Sequence, residues 1–200
     1  MKRLLMTTIP VSIAAATVSA LMVIVQPAVG APTVKGDAAA WGEIVAAMEK
    51  QQTVSYPAKS MVGGGITEFV PPNSTHATVP GLVEAIWVGD AYRVRTGEKW
   101  ECAPAPTGGA PGLIPPIWKQ PGEVTVARSQ NLVIDGMPTR GYDFTRTGTS
   151  KGRTITMKYK LYVGVHTGLP RRLEVSGGAR ETFDFDDYGA KIAITLPPCS

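Results

Sequence analysis

The chain has 200 residues, 44% of them hydrophobic and 18% charged, with a formal net charge of +4 at pH 7. That length suits a single domain with a sizeable core. The basic balance does not point to nucleic acid, because the cations are interspersed with acids and form no basic stripe.

In chain order, Met1-Lys2-Arg3 is a short positive stretch, and residues 4–25 carry no charge. Gln26-Pro27 ends the apolar run, and Ala28-Val29-Gly30 places small residues where a signal peptidase reads, favouring a cut before Ala31. The run of about 22 residues also reaches the roughly 20 needed to span a bilayer, so a retained anchor is the competing reading. Pro10 and several Ser and Thr weigh against it, and no cysteine nearby offers a site for lipid attachment. The expected product is a soluble, periplasmic or secreted domain, residues 31–200, whose net charge falls from +4 to +2 as Lys2 and Arg3 leave. Export permits oxidation, so Cys102 and Cys199, the two cysteines of the chain, are expected to form a disulfide.

Asp37 is placed to cap a helix over residues 38–50, with Trp41, Ile44, Val45 and Met48 on one face and Glu43, Glu49 and Lys50 on the other. Strand patterns then take over. Residues 53–56 read as a strand, and loops follow at Gly63-Gly64-Gly65 and Pro71-Pro72-Asn73. Residues 83–88 and 92–96 form a hairpin turned by Gly89-Asp90, and residues 100–102 add a short strand. Residues 103–122 hold six prolines and four glycines, which bars a regular ladder. Leu113, Ile114, Ile117 and Trp118 nevertheless make that segment too apolar to stand free in water.

Alternation resumes with Val124 and Val126, then residues 132–134 before an Asp135-Gly136 turn, and Tyr142 and Phe144 beyond it. The longest expected strand, residues 154–165, puts Ile155, Met157, Tyr159, Leu161 and Val163 on one face and Lys158, Lys160 and Tyr162 on the other. A turn at residues 166–170 leads into residues 171–175, and residues 182–188 and 191–196 form an expected last pair. The fold class is therefore α+β, mostly β: a curled antiparallel meander forming an open half-barrel with an N-terminal amphipathic helix.

The sequence holds no G-x-S-x-G, H-E-x-x-H or Walker loop. Asp184 and Asp186 share a strand face and alternate with Phe183 and Phe185, the pattern of a solvated face rather than a reacting carboxylate pair. His76 and His166 are the only imidazoles and do not complete a metal set with two cysteines. No enzyme activity, cofactor or metal is expected. The bulky residues Trp87, Tyr92, Trp100, Ile117, Trp118 and Tyr159 are divided between core and the lining of an apolar pocket, which the sequence alone does not apportion.

The stretch Val165-His166-Thr167-Gly168-Leu169-Pro170-Arg171-Arg172, followed by Thr182-Phe183-Asp184-Phe185-Asp186-Asp187-Tyr188-Gly189 and Lys191 to Pro197, resembles the LolA/LppX-like superfamily of periplasmic lipoprotein carriers and lipid-binding relatives. The resemblance covers residues 150–198 in motif and 37–149 in architecture only. It implies a half-barrel whose concave face and helical lid hold acyl chains. The Pro-rich segment and the cysteines depart from the carrier, and none of its functional residues is carried over. The expected ligand is a lipid, a lipoprotein acyl chain or another amphiphile, with Trp87, Tyr92, Trp100, Leu113, Ile114, Ile117, Trp118 and Tyr159 as ligand contacts and residues 103–122 as a flap. The competing reading is an envelope interaction or sensory module, whose helix fills the concave face and whose edges or flap meet another envelope protein.

Overall fold

The computed structural model describes residues 31–60, 64–104, 117–150, 153–177 and 180–199; the expected signal segment, residues 1–30, lies outside them. Among the described residues the elements run β1 (Thr33–Gly36), α1 (Ala38–Gln51), β2 (Tyr56–Ser60), β3 (Ile66–Val70), β4 (Ser74–Val79), β5 (Val83–Val88), β6 (Ala91–Thr96), β7 (Lys99–Ala103), β8 (Glu123–Ile134), β9 (Met137–Ser150), β10 (Arg153–Gly164), β11 (Pro170–Ser176) and β12 (Glu181–Phe185). All strands belong to one sheet of order β1-β8-β9-β10-β11-β12-β2-β3-β4-β5-β6-β7. It consists of two antiparallel meanders, β2–β7 and β8–β12, joined where β12 lies against β2. The sheet does not close, so β1 and β7 are its edges. This is the mostly-β, open half-barrel with an N-terminal helix that the pattern implies.

Asp37 starts the helix by accepting the amide hydrogen of Ala40 at 2.9 Å. Trp41, Ile44, Ala47 and Met48 are buried on one face, against Val124, Val126, Tyr142, Phe144 and Leu161 of the sheet. Trp41 meets Phe144 edge-on at 5.7 Å between ring centroids. Each such large side chain taken out of water contributes about 1.5–3 kcal/mol. Tyr56, Phe69 and Phe185 extend the same core into the neighbouring meander.

Four features differ from the sequence expectation. The strand expected at residues 53–56 begins only at Tyr56, because Thr53 is used to end the helix: its hydroxyl donates to the Lys50 carbonyl at 2.8 Å. Strands β3 and β4 lie on either side of the Pro71-Pro72-Asn73 turn, where only loop signals were read. Strand β1 pairs with β8 in parallel, so the sheet is not wholly antiparallel. Finally, residues 191–196 join no ladder. They belong to a strap that leaves β12, is fixed beside β2 by Gly189 N–H to the Ser55 carbonyl (2.8 Å) and Ser55 hydroxyl to the Ala190 carbonyl (2.7 Å), and ends at Cys199. The disulfide from Cys199 to Cys102 in β7 joins Cα atoms 5.6 Å apart across a sequence separation of 97 residues.

Candidate functional site

Cross-strand register sorts the side chains onto two faces. Following partners from Phe144 through Tyr159, Val175 and the Leu173–Phe183 pair, then Ser60 and Ala58, the helix face continues onto Phe69, Thr75, Trp87 and Tyr92. Trp87 and Tyr92 are therefore on the same face as Tyr159, with rings 5.9 Å apart, but several strands away. Trp100 lies on the opposite face, where the Arg95 guanidinium sits 5.2 Å above its ring. Trp118 is buried in the helix-face core, and Tyr159 packs half-buried against it, stacked on Phe144 at 4.7 Å. Ile117 opens the short 3-10 turn that carries Trp118. Leu113 and Ile114 lie outside the described residues.

The helix is pinned at both ends. Near its start, Glu43 accepts hydrogen bonds from the Tyr142 hydroxyl and from Arg128 (2.6 Å), with Arg140 at 3.3 Å. These donors, Arg128 first, hold the Glu43 carboxyl below its usual range. Tyr142 is pushed up to about 12, by burial first and then by Glu43. At the other end the Lys50 ammonium donates to the Thr167 carbonyl at 2.7 Å, and the Gln51 amide donates to the Tyr188 hydroxyl at 2.9 Å. Tyr188 in turn donates to the Pro170 carbonyl at 2.7 Å. Gly168, at a φ of 63°, makes the tight turn that presents Thr167 and Pro170 together. The short motifs that carry the sequence resemblance thus form the seat of the helix.

One polar side chain on the helix face has no charge partner. Arg146 follows Tyr142 and Phe144 in the inward alternation of β9 and is only 6% exposed. Its Nη2 donates to the Pro121 carbonyl at 2.7 Å, its Nε has no partner, and no carboxylate among the described residues pairs with it. The buried indole N–H of Trp118, three residues before Pro121, is also without an acceptor. Sequence reasoning missed Arg146, although its parity with Tyr142 and Phe144 was the available signal.

The opposite face is polar. A depression of about 650 Å³ lies there across β8–β11, walled by Thr125, Asp143, Lys158, Lys160, Glu174 and Arg180. Its charged heads stand on apolar stems, and Ala127 also lines it, whereas the bulky buried aromatic and aliphatic side chains lie on the helix side. Further along, His76 lies between Glu68 (2.9 Å) and Glu84 (2.8 Å). Asp184 is paired with Arg172 by two hydrogen bonds, and Asp186 with Lys59 at 2.7 Å. Asp184 of β12 and Asp186, just beyond it, are therefore each held in an ion pair with a basic residue on a neighbouring strand. Among the described residues no helix is long and apolar enough to cross a membrane.

An open half-barrel with a single helix seated on one face is an LppX/LolA-like fold. The chain is similar to the solved lipoprotein LppX of Mycobacterium tuberculosis, at 13% identity and a TM-score of 0.57, over 80% of this chain and 100% of that one. A DUF1329 family protein from Desulfovibrio piger aligns over 80% of this chain and 96% of that one, at 10% identity and a TM-score of 0.35. No protein-family model matches the sequence, and the search of curated proteins found no match.

Proposed function

We propose that the chain is an exported, non-enzymatic binding protein for a lipid, a lipoprotein acyl chain or another amphiphile. The observation that carries this reading is the set of Met157, Tyr159 and Phe183 on the helix face, on either side of buried Leu173 and Val175, which pack against the core yet stay half-buried. An acyl chain laid on such a set gains about 0.8 kcal/mol for each methylene it buries. Residues 103–122 leave β7, one edge of the sheet, and return to β8, beside the other edge. In this reading that segment is the flap, with Leu113, Ile114, Ile117 and Trp118 as its apolar contacts. The likeness to LppX supports the fold in which this binding would occur. Protein purified from its native compartment is expected to carry lipid that organic solvent extracts and native mass spectrometry detects as added mass. A mass equal to the bare polypeptide would sink the reading.

A second reading has its own support. Trp41, Ile44 and Met48 of the helix are all buried, and Trp118 fills space beside them, so the centre of the helix face is already packed. A filled sheet suits an interaction module for another envelope protein. Lipid-free protein that forms a stoichiometric complex with an envelope partner would select it.

A further inference from the structure

We infer that Arg146, with the indole N–H of Trp118, receives the anionic head of an acidic amphiphile, a carboxylate or phosphate whose chain runs along the helix face. The inference rests on the amphiphile reading and adds the ligand's charge to it.

A guanidinium stays ionised in a protein, and its five donors form a fixed fork matched to a carboxylate or phosphate. Taking such a charge out of water is costly unless a counter-charge accompanies it. Arg146 is withdrawn from water, is given one carbonyl by Pro121, and meets no carboxylate among the described residues. Elsewhere on the sheet Arg95, Arg128, Arg140 and Arg172 each have an acidic partner, and Arg171 has the exposed Asp135 at 4.0 Å; Arg93, which like Arg146 has no ion pair among the described residues, lies on the opposite face. The unpaired Nε of Arg146 and the unpaired Trp118 Nε1 are both buried donors at the root of the Pro-rich segment. Two orphaned donors and an uncompensated positive charge define an acceptor that is anionic. Met157, the cross-strand neighbour of Arg146, belongs to the half-buried apolar set. Head and chain sites are thus adjacent, and a neutral lipid, whose ester carbonyls could accept from the donors, would leave the charge uncompensated.

The test compares binding of a pyrene-labelled long-chain fatty acid with that of its methyl ester, with lysophosphatidate as a competitor to tell a phosphate head from a carboxylate. The full-length exported protein is used after delipidation. Wild type is expected to bind the acid at least about tenfold more tightly than the ester, the scale of a charge-assisted hydrogen-bond pair. Arg146→Met should erase that preference, while Arg146→Lys should keep part of it. Trp118→Phe, which removes the N–H, should narrow the preference for acid over ester several-fold. If Arg146→Met does not fold, the Lys and Phe variants decide alone. Equal wild-type affinity for acid and ester, or a preference unchanged in Arg146→Met or in Trp118→Phe, overturns the inference and leaves the amphiphile reading standing. Binding of neither acid, ester nor lysophosphatidate overturns both.

Discussion

Glu43 shows how a single carboxylate ties the helix to the sheet. It faces Arg128, Arg140 and Tyr142 from β8 and β9, and Arg128 also reaches Asp37 at 3.2 Å, just before the helix. Because the folded carboxyl titrates below its ordinary value near 4.5, its contribution to stability is fully present above that value and is lost as pH falls through the lower, folded one. Replacing Glu43 by Gln should therefore flatten the acid limb of the stability profile while lowering stability at neutral pH. Urea unfolding followed between about pH 6 and pH 3 measures this, and an acid limb as steep as wild type would show that other carboxylates set it. Arg146 presents the converse arrangement, a buried cation that the described chain leaves without an acid.

Among the elements, the C-terminal strap is the most exposed to test. Its Ile192, Ile194 and Leu196 are half-buried and alternate with exposed Lys191, Ala193 and Thr195, yet no ladder holds them. Beyond its bonds at Ser55, the covalent anchor is Cys102–Cys199. Converting both cysteines to Ser should cost up to about 4–5 kcal/mol in the loop-entropy account. Hydrogen exchange should then quicken in residues 191–199 and stay slow in β8–β11. Unchanged protection in the strap would mean that its apolar contacts suffice.

The same strap explains what the sequence concealed. Alternation marks a segment with one covered face, and a strap and a strand produce it equally. Strands β9 and β10 were legible because their inward residues, Tyr142, Phe144, Leu161 and Val163, are buried and large. Strands β3 and β4 were not, since Thr67, His76, Ala77 and Thr78 are middling in both polarity and burial. Strand β1, four residues long and parallel, gives no hairpin signal. At the candidate site, Tyr159 and Trp118 could be named from their bulk. Assigning Trp100 to the other face and Arg146 to the inside required the register.

For the molecule as a whole, the junction between the two meanders is the narrow point. β12 and β2 share three registered pairs, Phe183↔Ser60, Asp184↔Lys59 and Phe185↔Ala58, against twelve for β9 and β10. Phe185 is buried there and meets Tyr56 edge-on at 5.9 Å. Phe185→Ala should cost about 3–5 kcal/mol. It should also let β2–β7 exchange amide hydrogens at a lower denaturant concentration than β8–β11. Loss of protection in both halves at one midpoint would instead show the sheet to be a single cooperative unit.

The swapped strand order also decides when the parts of the chain can assemble. β1 pairs with Thr125 and its neighbours some ninety positions later, and the helix rests chiefly on β8, β10 and β11, all from the second half. β2 pairs locally with β3 on one side and waits for β12 on the other. During synthesis, then, β1 and the helix lack their partners on β8, β10 and β11 until most of the polypeptide has been made, and closing such distant contacts is slow. A chain whose first meander can form early but whose helix and central seam wait for the second half acquires its full width only when most of its length has been made.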